Sequence, residues 1–150
     1  MVQVRTGDVI PVGAVVDATN GRVRITIALP DGKLQSSDFF EGVFRVTQAK
    51  SGLATMVLAG GNFRVCGRGA RAGALAAKVK VIRHLWGKGA GKFQTKGKFA
   101  AAAIRGTTWD VIDRCDGTLT VVTQGRVVVT NLKTGRKIAL KAGQRYLAKA

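Results

Sequence analysis

Short runs of alternating apolar and polar residues, each closed by a glycine, fill the last third of this 150-residue chain. A period of two gives a β-strand one buried face and one solvent face. Glycine accepts the positive φ that tight turns require. The segment 103–150 therefore predicts a meander of short antiparallel strands with no helix. The predicted strands cover 117–123, 125–131, 136–141 and 144–149, with turns at Asp116-Gly117, Gln124-Gly125, Thr134-Gly135 and Ala142-Gly143.

The N-terminal part of the chain shows the same alternation. Arg22–Leu29 reads RVRITIAL, with its aliphatic residues on one side and its arginines on the other. Asn20-Gly21 before this run is a strong hairpin signal. The composition agrees with a β protein, since there are 20 Gly and only 6% aromatic residues. Further strands are predicted after Pro11 and at Leu34–Phe40, Gly42–Gln48, Leu53–Ala59 and Asn62–Cys66.

Positive charge is large and unevenly distributed. The chain has 25 Lys and Arg against 8 Asp and Glu, a net charge of +17. Residues 42–109 carry 13 basic side chains and no acidic one. Such a field attracts polyanions and makes their binding dependent on salt. The candidates are nucleic acid, anionic cell-wall polymers and acidic lipid surfaces.

Residues 67–98 predict a basic, partly ordered insertion between two β halves, 1–66 and 99–150, of one domain. Ala70–Leu85 fits an amphipathic helix or an edge strand, and Gly87–Gly97 predicts a mobile loop rich in Gly and Lys. Its cations, interleaved with Phe93 and Phe99, could hold the phosphates of a polymer, or could simply be a solvated basic loop. The predicted polyanion-binding residues are Arg64, Arg68, Arg71, Lys78, Lys80, Arg83, Lys88, Lys92, Lys96 and Lys98.

No set of residues with the spacing of a catalytic or metal site stands out. His84, the only histidine, is expected to be a surface or half-buried residue beside Trp86. Asp110, Asp113 and Asp116 lack the spacing of a calcium loop, and Asp113 is expected to pair with Arg114 or Arg126. The sequence GKGAGK at 87–92 lacks the spacing of a phosphate-binding loop. We expect no catalytic residues, no metal and no cofactor.

The last third of the chain contains an ordered set of motifs, formed by Arg105, Gly106, Thr107, Trp109, Val111, Asp116, Gly117, Thr118, Gly125, Val127, Val129, Ala142, Gly143 and Gln144. The order of these motifs resembles the FecR-like domain of extracytoplasmic bacterial proteins. Residues 91–109 are also similar to a segment that precedes this domain in exported actinobacterial proteins. The resemblance implies a β module at the cell surface or secreted, although MVQVRTGDVIPVG lacks the features of a signal peptide.

Cys66 and Cys115 could form a disulfide or remain two separate buried thiols. The resemblance favours the disulfide, because it places the domain outside the cytoplasm. The bridge would close a loop of about 50 residues and stabilise the fold by about 3–4 kcal/mol.

The expected fold class is all-β: an antiparallel meander, a sandwich or a short β-solenoid. Two FecR-like halves are possible, since PVGAVVD at 11–17 and IRGTTWD at 104–110 are weakly alike. The expected function is a non-catalytic secreted or cell-surface module that binds a protein partner or an anionic envelope polymer. The alternative is a nucleic-acid-binding protein, and an enzyme is the third hypothesis. Edge strands leave room for self-association by strand addition.

Overall fold

The structure, a computed structural model, describes residues 5, 7–67 and 79–150 of the chain. The described residues contain no α-helix, and eleven strands join into one curled, mixed sheet that forms a half-barrel. The all-β prediction is confirmed. The strands are β1 (Val15–Asp17), β2 (Arg22–Ala28), β3 (Leu34–Phe40), β4 (Val43–Gln48), β5 (Ala54–Ala59), β6 (Val81–Gly89), β7 (Phe93–Lys96), β8 (Ala100–Arg114), β9 (Gly117–Asn131), β10 (Lys137–Lys141) and β11 (Arg145–Lys149).

The long hairpin of β8 and β9 is shared by two parts of the sheet. The first wing contains β1, β4, β5 and β7, then residues 100–105 of β8, 126–131 of β9, and β10. The second wing contains β2, β3 and β6, then residues 107–114 of β8, 117–124 of β9, and β11. All pairings are antiparallel except β5 with β7, which is parallel.

Bulges in the hairpin form the corner between the wings. Ile104 and Thr107 are both buried although they are three residues apart, and Val122 and Val127 are both buried although they are five apart. An unbroken strand would place such pairs on opposite faces, so an irregularity must reset the alternation. Gly125, with a φ of 77°, lies in the irregular part of β9. Gln124-Gly125 is therefore a bend inside one strand, and the predicted turn there is wrong.

The core fills the space between the wings. Phe39 of the second wing contacts two rings of the first, with ring centroids 5.5 Å from Phe44 and 5.9 Å from Phe93. Trp109 is fully buried and meets Phe39 edge-on at 6.0 Å, so it is a central core residue. Alternation in the predicted strand Leu53–Ala59 favours burial of Leu53 and Val57, but the buried residues of β5 are 54, 56 and 58. Since side chains alternate, a one-residue error moves the whole set to the other face.

The segment 67–98 is mostly integral to the sheet where the structure describes it. β6 lies between β3 and β8, so it is neither a helix nor an edge strand. β7 lies between β5 and β8, so the predicted mobile loop over 87–97 is wrong in its second half, and its first residues end β6. Gly87 is needed there because a Cβ at this position would meet the indole ring of Trp109. The part of the predicted helix at 70–78 lies outside the described residues.

A disulfide links Cys66 to Cys115, with Cα atoms 5.3 Å apart. Cys66 ends a short 3-10 turn, Phe63–Cys66, in which the Asn62 side chain accepts from the Arg64 backbone N–H. The strand expected at Asn62–Cys66 is therefore wrong, because an asparagine at this position favours a helical start. Cys115 belongs to the two-residue loop between β8 and β9, so the bridge ties this turn to the end of the central hairpin.

Candidate functional site

Most of the carboxylates are held in local contacts. Asp38 accepts from Arg24 Nε at 2.9 Å and lies 3.1 Å from Arg22 Nε, and the hydrogen bond from Arg24 lowers the pKa of Asp38. Asp116 pairs with Arg114 at 2.5 Å, and this bond lowers its pKa. Asp8, Asp17 and Asp31 each accept a hydrogen bond from a backbone N–H group two or three residues away in the chain. These carboxylates serve turns and strand pairs.

Asp113 is a fully buried carboxylate with a structural role. It accepts from Arg83 Nε at 2.7 Å, from Thr118 Oγ1 at 2.6 Å and from the Lys98 backbone N–H at 2.9 Å. The predicted partners Arg114 and Arg126 are wrong, because residue 113 points into the sheet interior. A buried charge needs such partners, since removing one leaves an uncompensated charge. Asp113 thus fixes the β7–β8 turn against β6.

His84 and Asp110 form a pair on the outer face of the second wing. His84 Nδ1 lies 3.3 Å from both carboxylate oxygens, and the histidine side chain is 34% exposed. The hydrogen bond to Asp110 and the negative charges of Asp110 and Glu41 raise the pKa of His84, against the opposing effect of burial. The half-buried position beside Trp86 agrees with the expectation for His84. The partner was missed, because Asp110 is brought there by the pairing of β6 with β8.

Beside this pair lies an aromatic stack. The rings of Phe40 and Trp86 are parallel within 4°, with centroids 6.1 Å apart, and Arg22 lies 4.7 Å from the Phe40 centroid. Neighbouring strands bring the rings together, since residues 22, 40 and 86 are direct cross-strand partners. The stack is half-buried, and two carboxylates, Asp38 and Asp110, lie on the same face.

Those of the predicted polyanion-binding residues that the structure describes do not form one surface. Arg83 is bound to Asp113, and Lys98 lies over the Phe63 ring at 4.3 Å. Lys88 is on the outer face of the second wing, while Lys96 is on that of the first. Lys92 donates to the Ser51 carbonyl at 3.3 Å in the β6–β7 turn. Arg64 and Lys80 are exposed, and Arg68, Arg71 and Lys78 lie outside the described residues.

A different set of cations is in register on the outer face of the first wing. Arg105 of β8 is the direct partner of Arg126 of β9, which is in turn the direct partner of Lys141 of β10. All three are exposed, and we call them the cation ladder. Two rows further along the same strands, Lys96 and Lys137 lie in another row that includes Ala101 and Thr130.

Sequence reasoning missed the ladder although a signal was present. The two-residue loop at Cys115-Asp116 makes Arg114 the partner of Gly117, and counting outward from it pairs Arg105 with Arg126. The same pairing rule holds on both sides of the bend, because both strands are irregular there and their register shifts cancel. Lys141 follows from the β9–β10 hairpin in the same way.

Among the residues that the structure describes, no three His, Cys, Asp or Glu side chains come together as a metal site. Over the same residues, no helix has the length and apolar character needed to cross a bilayer.

Comparison with known proteins gives no family for this chain. No protein-family model matches it, and no curated protein matches it either. Among solved structures, it is similar to a candidate anti-sigma factor from Parabacteroides distasonis, with a TM-score of 0.34 and 9% sequence identity. That alignment covers 86% of this chain and 60% of the other protein.

Proposed function

We propose that this protein is a non-catalytic, extracytoplasmic β module that binds an anionic polymer of the cell envelope. Its C-terminal third is proposed to be a FecR-like domain, on the motifs that end in Ala142, Gly143 and Gln144. The proposal gives the His84–Asp110 pair a packing role and no chemistry.

The observation that most supports the proposal is that several acidic side chains are paired with basic ones, whereas the basic side chains are in large excess. The acidic residues 38, 110, 113 and 116 each pair with a basic side chain. The net charge of +17 means that most cations have no carboxylate to pair with. Surplus positive charge at exposed positions attracts polyanions over long range and binds them by releasing counterions.

The location is supported by the disulfide. Disulfides persist in oxidising compartments and are rare in the cytosol. The Cys66–Cys115 bridge is compatible with the surface of a cell or its surroundings. An envelope polymer is the polyanion that a protein meets in such a place.

Nucleic-acid binding is the second candidate, because the sequence pI of about 11.2 suits it equally well. The two are separated by titrating the intact, disulfide-bonded chain with poly(glycerol phosphate), duplex DNA and single-stranded RNA at several salt concentrations. We expect the envelope-type polymer to bind with an affinity at least equal to that of either nucleic acid. Nucleic acid binding at least tenfold more tightly at every salt concentration would replace the proposal, and no binding to any polymer would refute both.

A further inference from the structure

We infer that the outer face of the first wing is the polymer-binding surface, with the cation ladder at its centre. The ligand chemistry that this face fits is a linear polymer of phosphate or carboxylate groups without aromatic bases. The inference rests on the proposed function and adds to it the residues and the chemical class of the ligand.

The cation ladder places three positive charges beside one another on neighbouring strands, an arrangement that folding by itself does not favour. Direct partners on neighbouring strands are about 4.8 Å apart, so Arg105, Arg126 and Lys141 span about 10 Å. Like charges directly opposite each other destabilise a sheet. Among the described residues, no carboxylate lies within salt-bridge distance of any of the three. A bound chain of anions would relieve this repulsion.

The surroundings of the ladder extend the positive surface. The row of Lys96 and Lys137 is four residues along β8 from the ladder, a distance of about 13 Å. Between the two rows lies a neutral row that contains Ala103, Val128 and Ala139. The side chains of this neutral row are short, so they leave room for a polymer to contact both rows of cations. Asp17, the one described carboxylate on this face, is on β1, with three strands between it and β8.

The face also indicates which polyanion it suits. Two of the ladder residues are arginines, whose planar guanidinium groups bind phosphate and carboxylate through paired hydrogen bonds. Proteins that hold single-stranded nucleic acid add aromatic rings on which bases stack. The described strands of the first wing direct no aromatic ring to this face; Phe44 and Phe93 point into the core.

The outer face of the second wing is the competing surface, and it fits less well. It has the stacked rings of Phe40 and Trp86, but it also has the carboxylates of Asp38 and Asp110. These carboxylates already bind Arg22, Arg24 and His84, so the cations of this face are less available to a polyanion than those of the ladder. The aromatic stack and the cation ladder are therefore on different faces, and only the ladder face is suited to a polymer without bases.

The test compares two triple variants of the full chain that lose the same charge. The ladder variant is Arg105→Gln, Arg126→Gln and Lys141→Gln, and its control is Arg64→Gln, Lys88→Gln and Lys92→Gln. Labelled poly(glycerol phosphate), polyglutamate and poly(dT) of equal charge are titrated against each protein over a range of salt.

We expect the ladder variant to bind poly(glycerol phosphate) or polyglutamate at least tenfold more weakly than the wild type, and the control less than threefold. Its plot of log affinity against log salt should be shallower by about 2, for three lost contacts. The tighter of the two base-free polymers identifies whether phosphate or carboxylate is the natural group. The single variant Arg126→Gln, at the centre of the ladder, should change affinity in the same direction by a smaller factor.

The outcomes separate the two proposals. If the wild type binds and both triple variants weaken equally, the binding follows total charge and the ladder is not the site. Tighter binding of poly(dT) than of both base-free polymers would overturn the ligand chemistry. If the wild type binds no polymer, the proposed function itself fails. A melting temperature of the ladder variant no lower than that of the wild type at low salt is expected, because repulsion has been removed.

Discussion

Trp109 Nε1 donates a hydrogen bond of 3.0 Å to Thr95 Oγ1, and both side chains are fully buried. The tryptophan belongs to the second wing and the threonine to the first. The bond therefore crosses the core and fixes how the two wings lie against each other. A buried indole N–H without a partner would cost free energy, so the two residues are coupled.

This coupling predicts a non-additive pair of substitutions. Thr95→Val keeps the shape of the side chain but removes the acceptor, so the free energy of unfolding should fall by about 1–3 kcal/mol. In a Trp109→Phe background the same change should cost much less, since no donor is left unsatisfied. Urea unfolding of the four proteins measures both values. Equal costs in the two backgrounds would show that the bond does not couple the wings.

Trp109→Ala should lower the free energy of unfolding by about 3–5 kcal/mol, and a loss below about 1 kcal/mol would contradict the central position of Trp109 in the core.

The disulfide predicts a second loss of stability. Replacing Cys66 and Cys115 together by alanine should lower the free energy of unfolding by about 3–4 kcal/mol, because the unfolded chain is no longer constrained. Urea unfolding measures this difference, with the oxidised wild type as reference. A non-reducing peptide map of protein from an exporting host should contain the linked peptides. Two thiols that react with a blocking reagent before reduction would refute the bridge.

The bend in β9 predicts unequal effects at two glycines of similar backbone conformation. Gly125 has a φ of 77° and Gly135 a φ of 75°, but only at Gly125 would a Cβ collide, with the carbonyl oxygen of Gly106. Gly135→Ala should cost about 1–2 kcal/mol, from the left-handed conformation alone. Gly125→Ala adds a steric collision and should cost at least about 3 kcal/mol. Thermal and urea unfolding of both variants would detect the difference, and similar losses would mean that the wings do not meet closely at this corner.

The His84–Asp110 pair predicts a decline in stability as pH rises. The pKa of His84 is raised above its ordinary value of 6.5, mainly by the hydrogen bond to Asp110. Its contribution is thus fully present below about pH 6.5 and is lost as pH rises through the raised pKa. The melting temperature of the wild type should therefore fall over this pH range relative to that of His84→Gln. The fall should be small because the histidine is partly exposed. In Asp110→Asn, an NMR titration should show the pKa of His84 returning toward 6.5. A lower pKa for His84 in the wild type than in Asp110→Asn would contradict the pairing.

Sequence patterns predicted the strands better than their arrangement. Leu34–Phe40 was predicted with its observed bounds, because alternation and turn glycines are local signals. The turn predicted at Gly125 is wrong because a tight turn and a bulge can both require a positive φ at glycine. They differ in that the chain reverses direction after a turn and continues as the same strand after a bulge. The sequence just before β6 is rich in alanine and lysine and fits a helix as well as a strand, whereas the place of β6 between β3 and β8 is set by long-range pairing.

The candidate site was harder to predict than the fold. Charge counting located the positive surplus in 42–109, but two of the three ladder residues lie beyond that range. Arg105, Arg126 and Lys141 are far apart in sequence and become neighbours only through the register of two hairpins. The predicted basic residues are close together in sequence, but the sheet distributes those that the structure describes over both wings and the turns.

The central claim is that a base-free polyanion binds along the ladder face. An NMR titration of the full chain with poly(glycerol phosphate) tests it most directly, with the side-chain signals of arginines and the indole of Trp86 as probes of the two faces. We predict that the signals of Arg105 and Arg126 shift at polymer concentrations that leave Trp86 unchanged, and that the shifts vanish in high salt. Shifts concentrated at Trp86, or none at Arg105 and Arg126 when the polymer is bound, would contradict the account.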